Sequence, residues 1–243
     1  MELLLLALAP SLAICFFIYY KDKYNPEPTK LLVYSFLLGA ISIIPAYLAT
    51  YAIKYLTGIQ HAHEATTIDE LIYAFLVVAL SEEGAKFLFL RYYAYPKKDF
   101  DEPFDGITYA VIISMGFATV ENVIYVFYDG GGMNTGIHRM FTAVPGHASF
   151  AVIMGYYVGL AKFSHRKHIQ WIGLGAAILL HGIYDACLFL QHHPVFVIGA
   201  LLTVLVGVFY SFRAIKLHQE NSPFKHFDSN FHSSEETKED DKV

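Results

Sequence analysis

Hydrophobic residues in this sequence form long runs, and polar residues collect in the short segments between them. A helix needs about 20 mostly apolar residues to cross a bilayer. Seven runs reach that length, at residues 2–20, 31–56, 68–90, 104–128, 141–163, 169–190 and 194–215. This pattern predicts an all-α fold, a polytopic membrane helix bundle of about seven transmembrane helices that occupies residues 1–216.

The composition indicates lipid rather than water as the surrounding medium. Hydrophobic residues make up 55% of the chain and charged residues only 16%, and the mean hydropathy is +0.41. These values exclude an ordinary soluble domain. Lys21 and Lys23 follow the first run, where a signal peptide would have a small-residue cleavage site, so we interpret this run as the first membrane helix. Cys15 and Cys187 are too few for a disulfide framework or a four-thiolate zinc site.

The net charge of −5 arises largely at the end of the chain, where acidic residues cluster between Glu235 and Asp241. Residues 217–243 are rich in Ser, Glu, Asp and Lys and lack an apolar run. Such a segment cannot bury enough apolar surface to fold by itself. We therefore predict a disordered, acidic tail that lies in the cytoplasm.

Basic residues are distributed unevenly between alternate loops. Lys and Arg near helix ends are retained on the cytoplasmic side of a membrane. Loops 1, 3 and 5 and the last segment carry Lys21, Lys23, Lys30, Arg91, Lys97, Lys98, Lys162, Arg166, Lys167, Arg213, Lys216 and Lys225. The other loops carry only Lys54 and Arg139. This asymmetry predicts an N-terminus outside the cell and a cytoplasmic C-terminus.

Four of the predicted helices contain polar or ionisable residues within their apolar runs. These residues are Glu82, Glu83 and Lys86 on the third, Glu121 and Asn122 on the fourth, His147 on the fifth, and His181 and Asp185 on the sixth. Ionisable groups in a membrane helix are costly and usually mark functional sites. Residues four apart share a helix face, as Glu82 and Lys86 do. Counting along the helices predicts that all four present these groups to one layer, between the bilayer centre and its outer surface.

Some of these residues also have structural interpretations. Lys86 can neutralise Glu82, because a buried charge needs a partner whether or not it takes part in chemistry. Glu83 lies about 100° around the helix from Glu82 and can orient a neighbouring side chain. His147 can be a histidine at the membrane interface, and Asp185 can simply fix the tautomer of a nearby imidazole.

Carboxylates and imidazoles from separate helices can hydrolyse a peptide bond in two ways. In the first, Glu82 and Glu121 share a water and one acts as general base, while His181 and Asp185 stabilise the oxyanion. In the second, a divalent metal such as zinc is bound, and the candidate ligands are Glu82, Glu121, His147 and His181. The His-Glu-x-x-His pattern typical of zinc proteases is absent from the sequence, so both alternatives stay open.

At these residues the chain resembles the PrsW family of bacterial intramembrane proteases, which are relatives of the CAAX prenyl protease and Abi group. The likeness covers roughly residues 69–185. It consists of three spaced motifs, each on its own predicted helix: Glu82-Glu83-x-x-Lys86, Phe117-x-x-x-Glu121-Asn122 and His181-x-x-x-Asp185. The segments 102–106 and 145–148 also look like family sequence.

This resemblance implies a multi-pass protease of the bacterial cell membrane that cuts a single-span membrane protein near its extracytoplasmic side. An anti-sigma factor in regulated proteolysis is the typical substrate. It also implies that Glu82 and Glu121 activate water and that His181 and Asp185 line the oxyanion site. Glu83 is expected among the catalytic residues, with Lys86, His147 and Asn122 supporting them. Both a metal-dependent and a glutamate-type mechanism have been assigned to the family. The expected partners are the lipid bilayer and the substrate, with no nucleic acid.

Two other classes of protein are compatible with the pattern. A proton-coupled transporter would use the intramembrane carboxylates and histidines as a proton relay, although the two halves of the chain show no clear internal repeat. A non-catalytic scaffold would bind partner helices, and Gly155 and Gly159 form a Gly-x-x-x-Gly pattern suited to helix contacts. A scaffold leaves the cost of the buried ionisable groups unexplained.

Overall fold

The computed structural model describes residues 2–59, 61, 66–128, 130–164, 166–190 and 194–225, and these form an all-α bundle. The α-helices are α1 (Glu2–Lys21), α2 (Thr29–Ile41), α3 (Ile43–Thr57), α4 (Thr67–Ile72), α5 (Leu80–Phe89), α6 (Pro103–Val123), α7 (Gly132–Phe141), α8 (Ala143–Phe163), α9 (Gln170–Phe189) and α10 (Pro194–Glu220).

Six helical spans of the described chain are long and apolar enough to cross a membrane. They are Glu2–Lys21, Thr29–Thr57, Pro103–Tyr128, Gly132–Phe163, Lys167–Phe189 and Pro194–Glu220. The other predicted run, 68–90, is also helical, but Glu82, Glu83 and Lys86 interrupt its apolar sequence. The structure thus confirms the predicted all-α polytopic bundle.

The helical path through α4 and α5 contains two wider, π-helical segments. Tyr73–Ala79 joins α4 to α5, and Leu90–Ala94 follows α5. In the first segment, Phe75 packs so closely against α9 that a Cβ on Gly182 would lie 2.3 Å from its ring. π-Helical turns are rare and occur frequently at functional sites. Here they lie on both sides of the helix that carries the acidic motif.

Two helix boundaries differ from the sequence prediction. The run 31–56 is divided into α2 and α3 at Ser42, whose hydroxyl donates to the carbonyl oxygen of Gly39 at 2.6 Å. The fifth run begins at Ala143 rather than at 141, and a separate helix, α7, precedes it. The apolar pattern could not reveal α7, because that helix mixes glycine, polar and basic residues with its few hydrophobic ones.

The central helix is α6, which contacts α1, α2 and α8 and is buried over most of its length. A Cβ on Gly155 of α8 would lie 2.3 Å from the carbonyl oxygen of Gly106, and one on Gly159 would lie 2.1 Å from that of Pro103. Only glycine permits backbones to approach this closely. The Gly-x-x-x-Gly pattern therefore serves a helix contact inside the chain.

The loops rich in basic residues meet at one end of the bundle, which we call the basic-loop face and define as residues 21–28, 95–102, 162–164, 166–167 and 216–225. The Lys162 ammonium donates to the carbonyl oxygen of Tyr95 at 2.6 Å, and the Gln219 amide donates to that of Lys21. The positive-inside bias predicts that this face is cytoplasmic.

The last helix continues to Glu220, four residues beyond the predicted end of the membrane domain at residue 216. His218 in this extension is buried and bonds through Nδ1 to the carbonyl oxygen of Pro103 at 2.8 Å. The prediction of a disordered tail concerns residues 217–243, and those after Lys225 lie outside the described residues.

Candidate active site

Helix α5 supplies three charged side chains to the interior of the bundle. The Lys86 ammonium lies 2.7 Å from Glu83 Oε1 and 3.6 Å from Glu82 Oε2. Both Glu83 and Lys86 are fully enclosed, with side chains 0% and 2% exposed. The sequence predicted that Lys86 pairs with Glu82, and the structure shows that Glu83 is its nearer partner.

Helix α9 adds His181 and Asp185, which lie one turn apart on one face. The Nδ1 atom of His181 hydrogen-bonds Glu83 Oε1 at 2.8 Å, while its Nε2 lies 3.2 Å from Asp185 Oδ2 and 4.0 Å from Glu82 Oε2. A carboxylate behind one ring nitrogen fixes the orientation of an imidazole and leaves the other nitrogen for chemistry. Glu83 therefore orients His181.

Helix α8 places His147 between two charged groups. Its Nδ1 lies 3.1 Å from the Lys86 ammonium and its Nε2 lies 2.8 Å from Glu121 Oε2. An ammonium can only donate, so Nδ1 accepts and the proton of the neutral ring is on Nε2, from which it is donated to Glu121. The ring is buried within the bundle, contrary to the interfacial interpretation.

Helices α6 and α7 complete the site with Glu121, Asn122 and Arg139. The Arg139 guanidinium donates through Nη2 to Glu121 Oε2 at 2.5 Å and through Nε to Asn122 Oδ1 at 2.7 Å. The sequence pattern places Arg139 in a loop and does not reveal its contact with Glu121. One signal was present, because Arg139 is one of only two basic residues in the loops opposite the basic-loop face.

The structure brings all eight predicted site residues together. Direct contacts link them into one network that also includes Arg139 and runs in the order Asp185, His181, Glu83, Lys86, His147, Glu121, Arg139 and Asn122, with Glu82 beside Lys86. The ring of Phe117 also packs on the Lys86 ammonium, with 4.2 Å between the nitrogen and the ring centroid. We call this network the active centre.

Accessibility distinguishes two groups of residues within the active centre. The side chains of Glu82, Asp185, Glu121 and Arg139 are 10–14% exposed. The others that contact them, including Glu83 and His181, are nearly inaccessible. Glu82 Oε2 accepts no hydrogen bond from any described residue. The partly exposed group therefore forms the more accessible side of the active centre.

The active centre suits a divalent metal in its charge and in its donor atoms. Its four carboxylates exceed its two permanent cations, which leaves a formal charge of minus two when the imidazoles are neutral. Glu82, His147 and His181 each offer a ligand atom, and these atoms lie within 4.8 Å of one another. To bind a metal, His147 would give up its hydrogen bond with Lys86 or with Glu121. One carboxylate with two imidazoles is a ligand set found in zinc hydrolases. The Lys86 ammonium, 3.6 Å from Glu82 Oε2, lies beside this set.

The fold and the active centre together define a class, that of polytopic membrane proteins with a carboxylate and imidazole site inside a helical bundle. Comparison with known proteins identifies the family within this class. The profile of the family described as PrsW family intramembrane metalloprotease matches residues 27–214. The chain belongs to the PrsW family of intramembrane proteases.

Individual relatives also belong to this family by name. A Protease PrsW from Clostridioides difficile is 35% identical over 227 residues, which cover 90% of this chain and 91% of the relative. A Protease PrsW from Geobacillus kaustophilus is 34% identical over 199 residues, or 81% and 84% of the two chains. The Protease PrsW from Bacillus subtilis is 35% identical over 181 residues, which cover 73% of this chain and 78% of the relative. No solved structure gives a significant match.

These findings confirm the resemblance noted in the sequence, and they establish a multi-pass bacterial membrane protease. The alternative of a proton-coupled transporter has no support in them.

Proposed function

We propose that this protease hydrolyses a peptide bond of a single-span membrane protein near the extracytoplasmic side, with Glu82 as the residue that activates water. One observation carries this proposal. Glu82 is partly exposed, with 13% of its side chain accessible, and its Oε2, although itself enclosed, accepts no hydrogen bond from a described residue. A general base needs a lone pair that no donor occupies, on a side chain that water can approach.

In this proposal the remaining polar groups position the reactants. Glu121 is held as a carboxylate by Arg139 and His147, both of which contact its Oε2, and it uses its other oxygen to orient the water. Glu82 takes a proton from this water as the oxygen attacks the peptide carbonyl carbon. The same proton then passes to the amide nitrogen as the C–N bond breaks, and Glu82 returns to its initial state.

His181 and Asp185 are proposed to line the side where the oxyanion forms. With both ring nitrogens protonated, His181 donates from Nδ1 to Glu83 and directs Nε2 to the carbonyl oxygen. Asp185 lies 3.2 Å from that Nε2 and holds the ring in place. Glu83 is then a positioning residue, because it is enclosed and acts through His181 and Lys86.

A divalent metal such as zinc, held by Glu82, His147 and His181, would supply Lewis acidity at the same place. One measurement distinguishes a metal-dependent mechanism from a glutamate-type mechanism. Purified protein is treated with a chelator, its metal content is determined, and its activity is assayed before and after metal is returned. Full activity without bound metal supports the glutamate type, whereas activity that follows the metal content supports a metalloprotease.

The substrate is proposed to be an anti-sigma factor or another single-span protein whose first cut starts regulated proteolysis. The support is the charge asymmetry, which assigns the end of the bundle opposite the basic-loop face, where Arg139 lies, to the outside. The experiment is comparative proteomics of membranes that contain the wild-type protein or Glu82→Gln. A genuine substrate accumulates uncut only in the variant.

The catalytic roles are tested with that substrate and the purified full chain in lipid. We expect Glu82→Gln and Glu121→Gln each to lower cleavage at least about 1,000-fold, because each removes a carboxylate that acts on the water. Glu70→Gln is the matched control, since Glu70 is a buried acid near the start of the same helical path and pairs with His61 instead. Normal cleavage by Glu82→Gln would remove the assignment.

A further inference from the structure

A second group of carboxylates lies at the basic-loop face, far from the active centre. Asp22 and Glu27 belong to the connection between α1 and α2, Glu102 precedes α6, and Asp105 lies in its first turn. All four are between 0% and 4% exposed. Asp105 and Glu121 are sixteen residues apart on α6, which corresponds to about 24 Å along the helix. We call these four residues the acidic cluster.

Three members of the acidic cluster use one carboxylate oxygen to hold the local structure. Asp105 Oδ2 accepts hydrogen bonds from the backbone amides of Asp101 at 2.7 Å and Glu102 at 2.8 Å, which caps the start of α6. The Tyr109 hydroxyl donates to Glu27 Oε2. In a weaker contact, the Thr108 hydroxyl donates to Asp22 Oδ2 at 3.4 Å.

A second oxygen of each carboxylate has no hydrogen-bond partner among the described residues. These oxygens are Asp22 Oδ1, Glu27 Oε1, Glu102 Oε2 and Asp105 Oδ1, and all are buried. Buried polar atoms in native proteins nearly always have partners, and each exception requires an explanation such as an ion. The carboxylates of Asp22, Glu102 and Asp105 lie together, and their orphaned oxygens point to a single missing positive partner.

Within the described chain, no basic side chain forms a direct ion pair with the acidic cluster. None of the ion pairs formed by its lysines, arginines and histidines involves the acidic cluster. Lys162 is near, but its ammonium donates to the carbonyl oxygens of Tyr95 and Lys97.

We propose that the acidic cluster binds one divalent cation that prefers oxygen ligands. Asp22, Glu102 and Asp105 each offer a carboxylate oxygen, and these three atoms lie within 4.8 Å of one another. Ligands on opposite sides of Ca²⁺ are about 4.6–5.2 Å apart and those around Mg²⁺ about 4.0–4.2 Å apart, so the cluster has the dimensions of a single site. Carboxylate ligands without imidazole or thiolate favour Ca²⁺, Mg²⁺ or Mn²⁺ over zinc.

The cation would fasten two parts of the basic-loop face to each other. Asp22 and Glu27 come from the first connection, and Glu102 and Asp105 from the start of α6. The end of α10 joins the same region, because Gln219 donates to the carbonyl oxygen of Lys21. The site is therefore structural and independent of the chemistry proposed for the active centre.

The test uses the full chain in lipid nanodiscs after removal of metals with a chelator and dialysis. Mg²⁺, Ca²⁺ and Mn²⁺ are added separately, and thermal unfolding is recorded. We expect at least one cation to raise the unfolding temperature by about 5 °C or more at saturation. Mn²⁺ binding is also measured directly from the loss of the free-ion signal in electron paramagnetic resonance. Asp105→Asn should abolish the temperature shift and lose one equivalent of bound Mn²⁺, while its side-chain oxygen still caps α6.

Matched variants isolate the site. Asp99→Asn makes the same change at an exposed acid of the neighbouring loop and should keep the full shift. Glu82→Gln, which alters the active centre, should also keep it, so this result does not depend on the proposed catalysis. Asp22→Asn replaces Asp105→Asn if the latter does not fold. The proposal is overturned if none of the three cations stabilises the wild-type protein, or if Asp105→Asn and Asp22→Asn respond like the wild type.

Discussion

Arg139 is the permanently charged residue of the active centre that bonds directly to Glu121. Its guanidinium donates to Glu121 and to Asn122, which fixes both side chains at once. We expect Arg139→Gln to lower activity about 100-fold and stability by about 3 kcal/mol, because it leaves a buried carboxylate without its cation. Cleavage assays and thermal unfolding of the purified variant measure both effects.

Lys54 provides the control for Arg139. It is the other basic residue in the loops opposite the basic-loop face, but its ammonium lies over the ring of Tyr73 and makes no contact with the active centre. Lys54→Gln should therefore leave cleavage within about twofold of the wild type, since surface substitutions have small effects. Equal losses in Lys54→Gln and Arg139→Gln would mean that general charge, not the contact to Glu121, matters.

The two adjacent glutamates of α5 should respond differently to the same substitution. Glu83 is enclosed and bonded to Lys86 and His181, so Glu83→Gln should cost about 3 kcal/mol of stability as well as activity. Glu82 is partly exposed and lies farther from Lys86, at 3.6 Å, so Glu82→Gln should abolish activity but change stability by less than about 1 kcal/mol. Denaturation curves of the two variants in one detergent distinguish these outcomes, and similar stability losses would contradict the separate roles.

At the scale of helices, the contact between α6 and α8 depends on the absence of side chains. Gly155→Ala would place a Cβ 2.3 Å from the carbonyl oxygen of Gly106, and the helices would have to separate. We expect a loss of about 1–3 kcal/mol, measured by thermal unfolding. Gly175→Ala on α9 is the control, because its Cβ meets nothing within 4 Å and alanine favours helix. A stable Gly155→Ala would show that α6 and α8 can move apart freely.

The sequence predicted the helices well because apolar runs of membrane length are a strong local signal. It failed at Ser42 and at α7, where tertiary packing rather than composition decides the structure. The predicted site residues share one network because the cost of burying charge draws such groups together. The partners within that network were less predictable, since the preference of Lys86 for Glu83 over Glu82 depends on how α5 faces α9.

For the whole molecule, the charge asymmetry makes a definite prediction of topology. Thr57 and Lys98 are both exposed and lie on opposite sides of the predicted membrane. In a chain with Cys15 and Cys187 replaced by alanine, a cysteine at position 57 should react with a membrane-impermeant maleimide in intact cells. A cysteine at position 98 should react only after the cells are permeabilised. The reverse pattern would invert the orientation and place the accessible side of the active centre towards the cytoplasm.

The π-helical segment Tyr73–Ala79 has a consequence for how this enzyme tolerates changes of chain length. Each residue added to or removed from a helix turns what lies beyond it by about 100°. A single deletion in this segment would rotate Glu82 out of its position in the active centre and bring Glu83 towards it. If the segment instead became α-helical, Glu82 would keep its direction, but Phe75 would be pulled from its contact with Gly182. The segment thus sets the direction in which Glu82 faces, so a one-residue deletion there should be more harmful than most point substitutions.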